Sequence, residues 1–143
     1  ALDLLAPRVA EGLVDVIAIH DGARPLADVD LFERTIATAH EYGGAVPVVE
    51  LPALLPRTST AVSPGGADTR LVGVQTPQAF RAAPLLAAYA AATAAGFDGT
   101  DTAAAFADFA PGPDLSIRPV PSAPTNLKVT FAEDLPVAER LLG

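Results

Sequence analysis

An imidazole, a carboxylate and a guanidinium fall within five residues in His20-Asp21-Gly22-Ala23-Arg24-Pro25, directly after the apolar run Val16-Ile17-Ala18-Ile19. A β-branched run that empties into such a loop reads as a buried strand, and the carboxyl ends of strands in open α/β sheets are where ligands collect. Gly22 permits close approach of a ligand or a neighbouring backbone, and Pro25 fixes the chain direction after Arg24. Other polar groups stand where predicted strands meet loops: Gln75-Thr76-Pro77-Gln78-Ala79-Phe80-Arg81, Asp101, and Asn126 with Lys128. Brought to one crevice, Arg24, Arg81 and Lys128 would hold an anion. A guanidinium can grip a phosphate through two parallel N–H bonds, whereas a lysine ammonium acts as a mobile point charge.

Each of these residues also has a plainer role. An arginine after a strand is commonly a surface ion-pair partner, and Lys128 in Leu-Lys-Val-Thr can alternate outward to solvent. His20 suits a packed or hydrogen-bonded strand end, and Asp101 suits a helix N-cap. Spacing gives no metal cluster, since His20 and His40 stand twenty residues apart without companion carboxylates. A carboxylate-held Mg²⁺ serving a nucleotide is compatible with the chain. Neither a Gly-rich phosphate loop nor a Gly-x-Ser-x-Gly elbow is present.

The elements that must position these groups follow from periodicity. Residues 1–12 read as a helix end, with Leu2, Leu5 and Val9 at helical spacing and Gly12 as a stop. Val14 to Ile19 reads as a strand apolar enough to be covered on both faces. Asp28 or Asp30 caps a helix whose face is Val29, Phe32, Ile36 and Ala39 and which ends at Gly43-Gly44, and Ala45 to Val49 is the next strand. Such a βαβ unit predicts a right-handed crossover between parallel strands. From Leu51 to Arg70 the pattern dissolves around Pro64-Gly65-Gly66. A loop accounts for it, as does a projecting hairpin arm pairing Thr58 to Val62 with Asp68 to Val72, which would reach for a partner subunit. Leu71 to Val74 resumes as a strand, with Pro77 expected to end regular pairing. Ala82 to Ala95 is an Ala-rich helix burying Leu85, Leu86 and Tyr89, and Thr102 to Phe109 is another, capped by Thr100 or Asp101. Strands over Leu115 to Val120 and Asn126 to Thr130 and a closing helix over Ala132 to Leu142 complete the chain, with no internal repeat or domain boundary.

With 143 residues, half of them apolar, the chain is the size of one domain with a substantial core. Nine Lys and Arg against seventeen Asp and Glu give a net charge of −8, which argues against a nucleic-acid surface. Cysteine is absent, so disulfides and thiolate metal sites are excluded. No secretory leader or membrane-spanning run is visible, and a cytoplasmic protein without membrane partners is expected. The chain contains no methionine, and the expectation is that it begins inside a longer protein.

Taken in order, His20-Asp-Gly-Ala-Arg-Pro25, Ala45-Val-Pro-Val48, Val74-Gln-Thr-Pro-Gln-Ala-Phe-Arg81, Thr100-Asp101, and Asn126-Leu-Lys-Val-Thr130 with Glu133-Asp134-Leu135 resemble the 2-C-methyl-D-erythritol 4-phosphate cytidylyltransferase family of non-mevalonate isoprenoid biosynthesis. The resemblance covers nearly the whole chain. It implies an α/β, Rossmann-like nucleotidyltransferase fold of the nucleotide-diphospho-sugar transferase type, partial here, with residues 1–143 as the C-terminal portion of one domain and a β-arm near residues 51–71. It also implies CTP, a sugar-alcohol phosphate, Mg²⁺ and a homodimer joined through the arm. Attack of the acceptor phosphate on the α-phosphorus would release pyrophosphate. Asp21 and Arg24 match positions that contact methylerythritol phosphate, with Gly22, Ala23, Thr76 and Asp101 expected on the same substrate side. Lys128 matches the family lysine beside the reacting phosphates, and Arg81 falls at or next to a position that orients the substrate, so these two are the expected catalytic residues. Asp21 is the expected Mg²⁺ ligand.

The chain departs from the family in several places. It has no counterpart of the Gly-rich CTP loop with its Arg and Lys, so this portion alone is expected to be inactive. Ala53-Leu54-Leu55-Pro56 stands where the family has Asp-Thr-x-Lys, and Thr102 where it has a second Asp. The arm around Gly65 to Arg70 does not match the family's Thr and Arg. These departures motivate two alternatives: a pentitol (ribitol) phosphate as acceptor, or a degenerate, non-catalytic dimerisation or ligand-binding module.

Overall fold

The computed structural model describes residues 2–51, 72–99 and 101–143. Helix α1 (Leu2–Ala10) leads to strand β1 (Val16–Ile19), helix α2 (Val29–Tyr42) and strand β2 (Gly43–Glu50). Strands β3 (Val72–Val74) and β4 (Gln78–Arg81) precede helices α3 (Ala82–Ala94) and α4 (Thr102–Phe109), strand β5 (Ser116–Pro121), a 3₁₀ turn (Ala132–Asp134) and helix α5 (Leu135–Leu142). The expected arm falls on residues 52–71, outside the described residues. At its borders Glu50 of β2 pairs with Val72 of β3.

The five strands form one mixed sheet. β1 and β2 both run antiparallel to β4, so they are parallel to each other, but β4 lies between them. The expected βαβ unit is therefore present with a strand inserted. β2 is the centre: Gly44 pairs with Ile117 of β5 and Phe80 of β4, and Val48 pairs with Pro121 of β5 and Val74 of β3. Because β5 follows one edge of β2 in parallel, β3 and β4 must share the other edge as one interrupted strand, broken at Gln75-Thr76-Pro77. β1 has β4 as its partner on one side.

Side chains alternate across this sheet and build a core on each face. Ile17, Val46 and Phe80 meet Leu85 of α3 and Phe106 of α4, with Leu2, Leu5 and Val9 of α1 packed against them. The rings of Phe80 and Phe106 lie 4.9 Å apart, centroid to centroid. On the opposite face Ala45 and Ala79 meet Leu31 and Ala39 of α2, together with Val120. Small residues at these positions let α2 lie close to the sheet. The Asp28 carboxylate accepts from the Leu31 N–H at 2.7 Å, fixing the start of α2, while Gly43 ends the helix at φ 104°.

Two sequence expectations need correction. The face of α2 turned to the sheet is Leu31, Thr35 and Ala39, not the expected Val29, Phe32, Ile36 and Ala39, since Val29 and Ile36 are exposed; the expected end of regular pairing at Pro77 is found, with the ladder broken at Gln75-Thr76-Pro77 and resumed at Gln78. Asn126 to Thr130 is not a strand. Its hydrogen bonds go instead to the loop after β1 and to the β3–β4 break, which places it against the candidate site.

Candidate active site

Asp21, the second residue after β1, is the hub. Its Oδ2 lies 2.9 Å from Lys128 Nζ, and its Oδ1 accepts from the Ala23 N–H at 3.0 Å. Its own N–H donates to Thr76 Oγ1 at 3.0 Å, tying the loop to the β3–β4 break. Thr76 Oγ1 also lies 3.1 Å from His20 Nδ1, and His20 Nε2 lies 3.1 Å from the Arg24 carbonyl oxygen. One arrangement satisfies all three contacts: Thr76 donates to Nδ1, and the Nε2–H tautomer donates to Arg24. His20 further packs against Phe32 of α2. It is thus a packed, hydrogen-bonded residue at the strand end.

Arg24 is partly buried, and its Nη1 donates to the Asn126 carbonyl at 2.7 Å. A second contact, Nη2 to the Val74 carbonyl at 3.5 Å, is marginal. The Val129 N–H donates to the Ala23 carbonyl at 2.8 Å. Three contacts therefore dock the 126–129 segment on residues 21–24. The two cations differ in freedom: Arg24 is held by backbone carbonyls, whereas the Lys128 side chain is 51% exposed.

Electrostatics follow this geometry. The hydrogen bond from Lys128 is the main cause that holds the Asp21 carboxyl below its ordinary value, followed by the Ala23 N–H. Partial burial lowers the Arg24 pKa, with the nearby Asp21 charge opposing that shift.

Asn126 is buried, and its Nδ2 donates to both Gln75 Oε1 and the Thr76 carbonyl at 3.0 Å. Ser122 Oγ donates to the same Gln75 Oε1 at 2.7 Å, and Gln75 Nε2 donates to the Ala123 carbonyl at 3.2 Å. Gln75 itself is anchored by its N–H to the Pro47 carbonyl of β2 at 2.8 Å. Arg24 Nε and Asn126 Oδ1 are buried polar atoms without a protein partner among the described residues.

Asp21, Gly22, Ala23, Arg24, Thr76 and Lys128 are therefore brought to one place. Asp101 caps α4 by accepting from the Ala103 N–H, and Gln78 Nε2 approaches its Oδ1 at 3.5 Å, so it stands beside the cluster and not within it. Arg81 is not brought there. Gln78 pairs with Ile19, next to His20, whereas Arg81 pairs with Val16 at the other end of β1. The Arg81 guanidinium donates to the carbonyls of His40 and Glu41 at the end of α2. Gln75 stands in the Gln75 to Arg81 stretch singled out from the sequence, two residues before Pro77, but its role as a buried amide was not legible there, and Ser122 and Val129 carried no signal.

The expected metal does not fit Asp21 as it stands. Both carboxylate oxygens are engaged by N–H donors, and no group of three or more His, Asp or Glu among the described residues could hold a metal ion.

Residues 5–143 match the family described as 2-C-methyl-D-erythritol 4-phosphate cytidylyltransferase. A protein of that description from Thermosynechococcus vestitus is 39% identical over 139 residues, covering 95% of this chain and 56% of the relative. A bifunctional enzyme IspD/IspF from Mesorhizobium japonicum is 39% identical over 130 residues, covering 89% of this chain and 31% of the relative. The chain thus spans about half the length, or less, of these curated relatives. Among solved structures, the Thermus thermophilus 2-C-methyl-D-erythritol 4-phosphate cytidylyltransferase superposes with a TM-score of 0.74 at 29% identity, covering 96% of this chain and 67% of that one. The 4-diphosphocytidyl-2C-methyl-D-erythritol synthase of Anaerococcus prevotii gives 0.77 at 26% identity, covering 90% and 56%.

Proposed function

The chain belongs to the 2-C-methyl-D-erythritol 4-phosphate cytidylyltransferase family, and on that premise we propose that the protein transfers the cytidylyl group of CTP to 2-C-methyl-D-erythritol 4-phosphate. In this reading an oxygen of the acceptor phosphate attacks the α-phosphorus of CTP, a new P–O bond forms, and the bond to the β-phosphate breaks to release pyrophosphate. Such a transfer needs positioning and charge stabilisation more than covalent help from the protein, which suits fixed and mobile cations.

The observation that carries the proposal is that Arg24 and Lys128, 104 positions apart in sequence, are brought to the loop after β1, Lys128 by its pair with Asp21 and Arg24 by its bond to the Asn126 carbonyl. Arg24, held by its carbonyl partners, supplies a placed positive charge for the acceptor phosphate. Lys128 is exposed and paired to a carboxylate that a phosphate can replace as its partner. Thr76, Gly22 and Ala23 shape the loop that presents them, and CTP contacts are not assigned to described residues. Mg²⁺ belongs to the proposal as a companion of the nucleotide phosphates, since this ion is commonly held by substrate phosphates with few carboxylates. No step is routed through it.

Arg24→Ala and Lys128→Ala, each made in the full-length protein, are expected to lower turnover of CTP with methylerythritol phosphate by at least about tenfold, or roughly 1.4 kcal/mol of transition-state stabilisation. Near-normal turnover in both variants would remove the site.

A homodimer and a cytoplasmic location are part of the same proposal. Exposed Val72 and Val74, on the strand that follows residues 52–71, support contact with a second subunit. Among the described residues no helix is long and apolar enough to cross a membrane. Light scattering on the full-length protein should return twice the monomer mass, and a monomer mass at micromolar concentration would discard the dimer.

A further inference from the structure

The two cations assigned above to the acceptor phosphate sit on separate pieces of chain, and their spacing is set by whatever holds those pieces together. Arg24 is on the loop after β1. Lys128 is on an irregular segment with no sheet ladder of its own. That segment touches residues 21–24 through Arg24 to the Asn126 carbonyl, Val129 to the Ala23 carbonyl, and Lys128 to Asp21. Those contacts fix the two pieces to each other but not to the sheet.

The ties to the sheet are the Ser122 N–H to the Val48 carbonyl at 2.9 Å, the Asn126 amide to the Thr76 carbonyl at 3.0 Å, the Asp21 N–H to Thr76 Oγ1 at 3.0 Å and, with the most contacts to the turn, a buried amide. Gln75 is 5% exposed and Asn126 4% exposed. One oxygen, Gln75 Oε1, accepts from both Asn126 Nδ2 and Ser122 Oγ, while Gln75 Nε2 donates to the Ala123 carbonyl. Gln75 thereby makes three contacts to the 122–126 turn, and its backbone N–H is bonded to β2 through Pro47. Both polar atoms of the Gln75 amide and the Asn126 Nδ2 donor are paired in this network, and leaving one of these donors unmatched there is costly. Gln75 touches neither Arg24 nor Lys128 in these contacts, so it acts through Asn126.

We propose that Gln75 is a positioning residue for the acceptor phosphate: its side-chain amide locks the 122–126 turn to the β3–β4 break and so fixes where Arg24 and Lys128 stand. This rests on the function proposed above for those two cations. The principal requirement is an acceptor oxygen for Asn126 and Ser122, which Glu at this position retains while losing the donor to the Ala123 carbonyl, and which Leu of similar size lacks together with that donor. The consequence falls on the acceptor, because the network lies beneath the acceptor cations.

The test compares Gln75→Leu and Gln75→Glu in the full-length protein. Q75L is expected to raise KM for methylerythritol phosphate by about tenfold, with KM for CTP changed less than about twofold, and Q75E, which keeps the acceptor but loses the Ala123 contact, to recover part of the loss. Amide hydrogen exchange, which needs no activity, gives the second reading. The Val129 N–H should exchange about tenfold faster in Q75L, while the sheet amides of Ala45 and Ala79 stay protected. Equal loosening of all three amides with an unchanged acceptor KM would reduce Gln75 to a general stabiliser and overturn the proposal. Unchanged Val129 exchange would overturn it as well. If the wild-type protein transfers no cytidylyl group, the function proposed above fails, and the exchange comparison alone decides whether Gln75 positions the segment. Should Q75L not fold, Ser122→Ala removes one donor to the same oxygen and is expected to shift Val129 exchange in the same direction, with no shift counting against the proposal.

Discussion

At the scale of single residues, Asp21 joins most of the site, and its ionisation is therefore a handle on it. Lys128 and the Ala23 N–H hold its carboxyl below the ordinary 3.8. A depressed carboxyl contributes stability that is fully present above the unfolded value and is lost as pH falls through the lower native value. The contribution from Asp21 is thus expected to be intact above about pH 4 and to vanish below it. Asp21→Asn should flatten the acid limb of a melting-temperature profile recorded from pH 6 to pH 2, and a limb as steep as wild type would show that the pair with Lys128 adds nothing. The strand end that carries Asp21 and Arg24 was legible in the sequence, because an apolar β-branched run emptying into polar residues reads as a strand meeting a loop. Arg81 was misplaced for a physical reason. The reading took Gln75 to Arg81 as the loop after a strand ending at Val74, so that Arg81 would stand with Gln75 at one crevice. β4 is antiparallel to β1, so its beginning, Gln78, faces the crevice and its end, Arg81, faces away to serve as a partner for the last carbonyls of α2.

Among elements, α2 and β2 are joined without a connecting loop, and the join depends on Gly43. At φ 104° this residue occupies backbone space that L side chains avoid, and a Cβ there would meet Leu115 Cδ2 at 2.7 Å. Gly43→Ala is expected to cost about 2 kcal/mol from strain at positive φ together with displacement of Leu115. Thermal unfolding of this chain should show it as a fall in melting temperature of several degrees, and an unchanged midpoint would mean that the helix-to-strand join relaxes freely. The existence of the helices was legible from their caps, since Asp28 before α2, Gly43 after it and Asp101 before α4 all hold their predicted places, but apolar spacing misjudged the face of α2, where Thr35 is buried and Val29 and Ile36 are exposed. The 126–130 segment was not legible. Leu127-Lys128-Val129 alternates like a strand, yet the side chain of Asn126 finds its partners in Gln75 and Thr76. Alternation reports which side chains face out, and it cannot report which backbone groups find a ladder.

For the molecule as a whole, helices on both faces of a single sheet agree with the expected α/β class, and the solved relatives share that fold. The mixed direction of the strands escaped the sequence because β3 and β4 are short and split by Gln75-Thr76-Pro77. Two fragments of three and four residues read as a strand and its loop, not as one strand passing β2. That split also sets the site, since it turns Gln75 and Thr76 inward beside Asp21 while the flanking residues continue the ladder.

The sheet carries one more property, at its border. β1 spends its hydrogen bonds toward β4 on one side, and among the described strands none pairs with its other side. Its residues Val16-Ile17-Ala18-Ile19 include no charge or proline of the kind that blunts an edge. In assembly terms this is a four-residue strip of backbone donors and acceptors that no described strand takes up. The strip ends at His20 and Asp21. A strand seated there would finish its ladder beside the residues that hold Lys128, so occupancy of this border and geometry of the anion site are adjacent on the same strand.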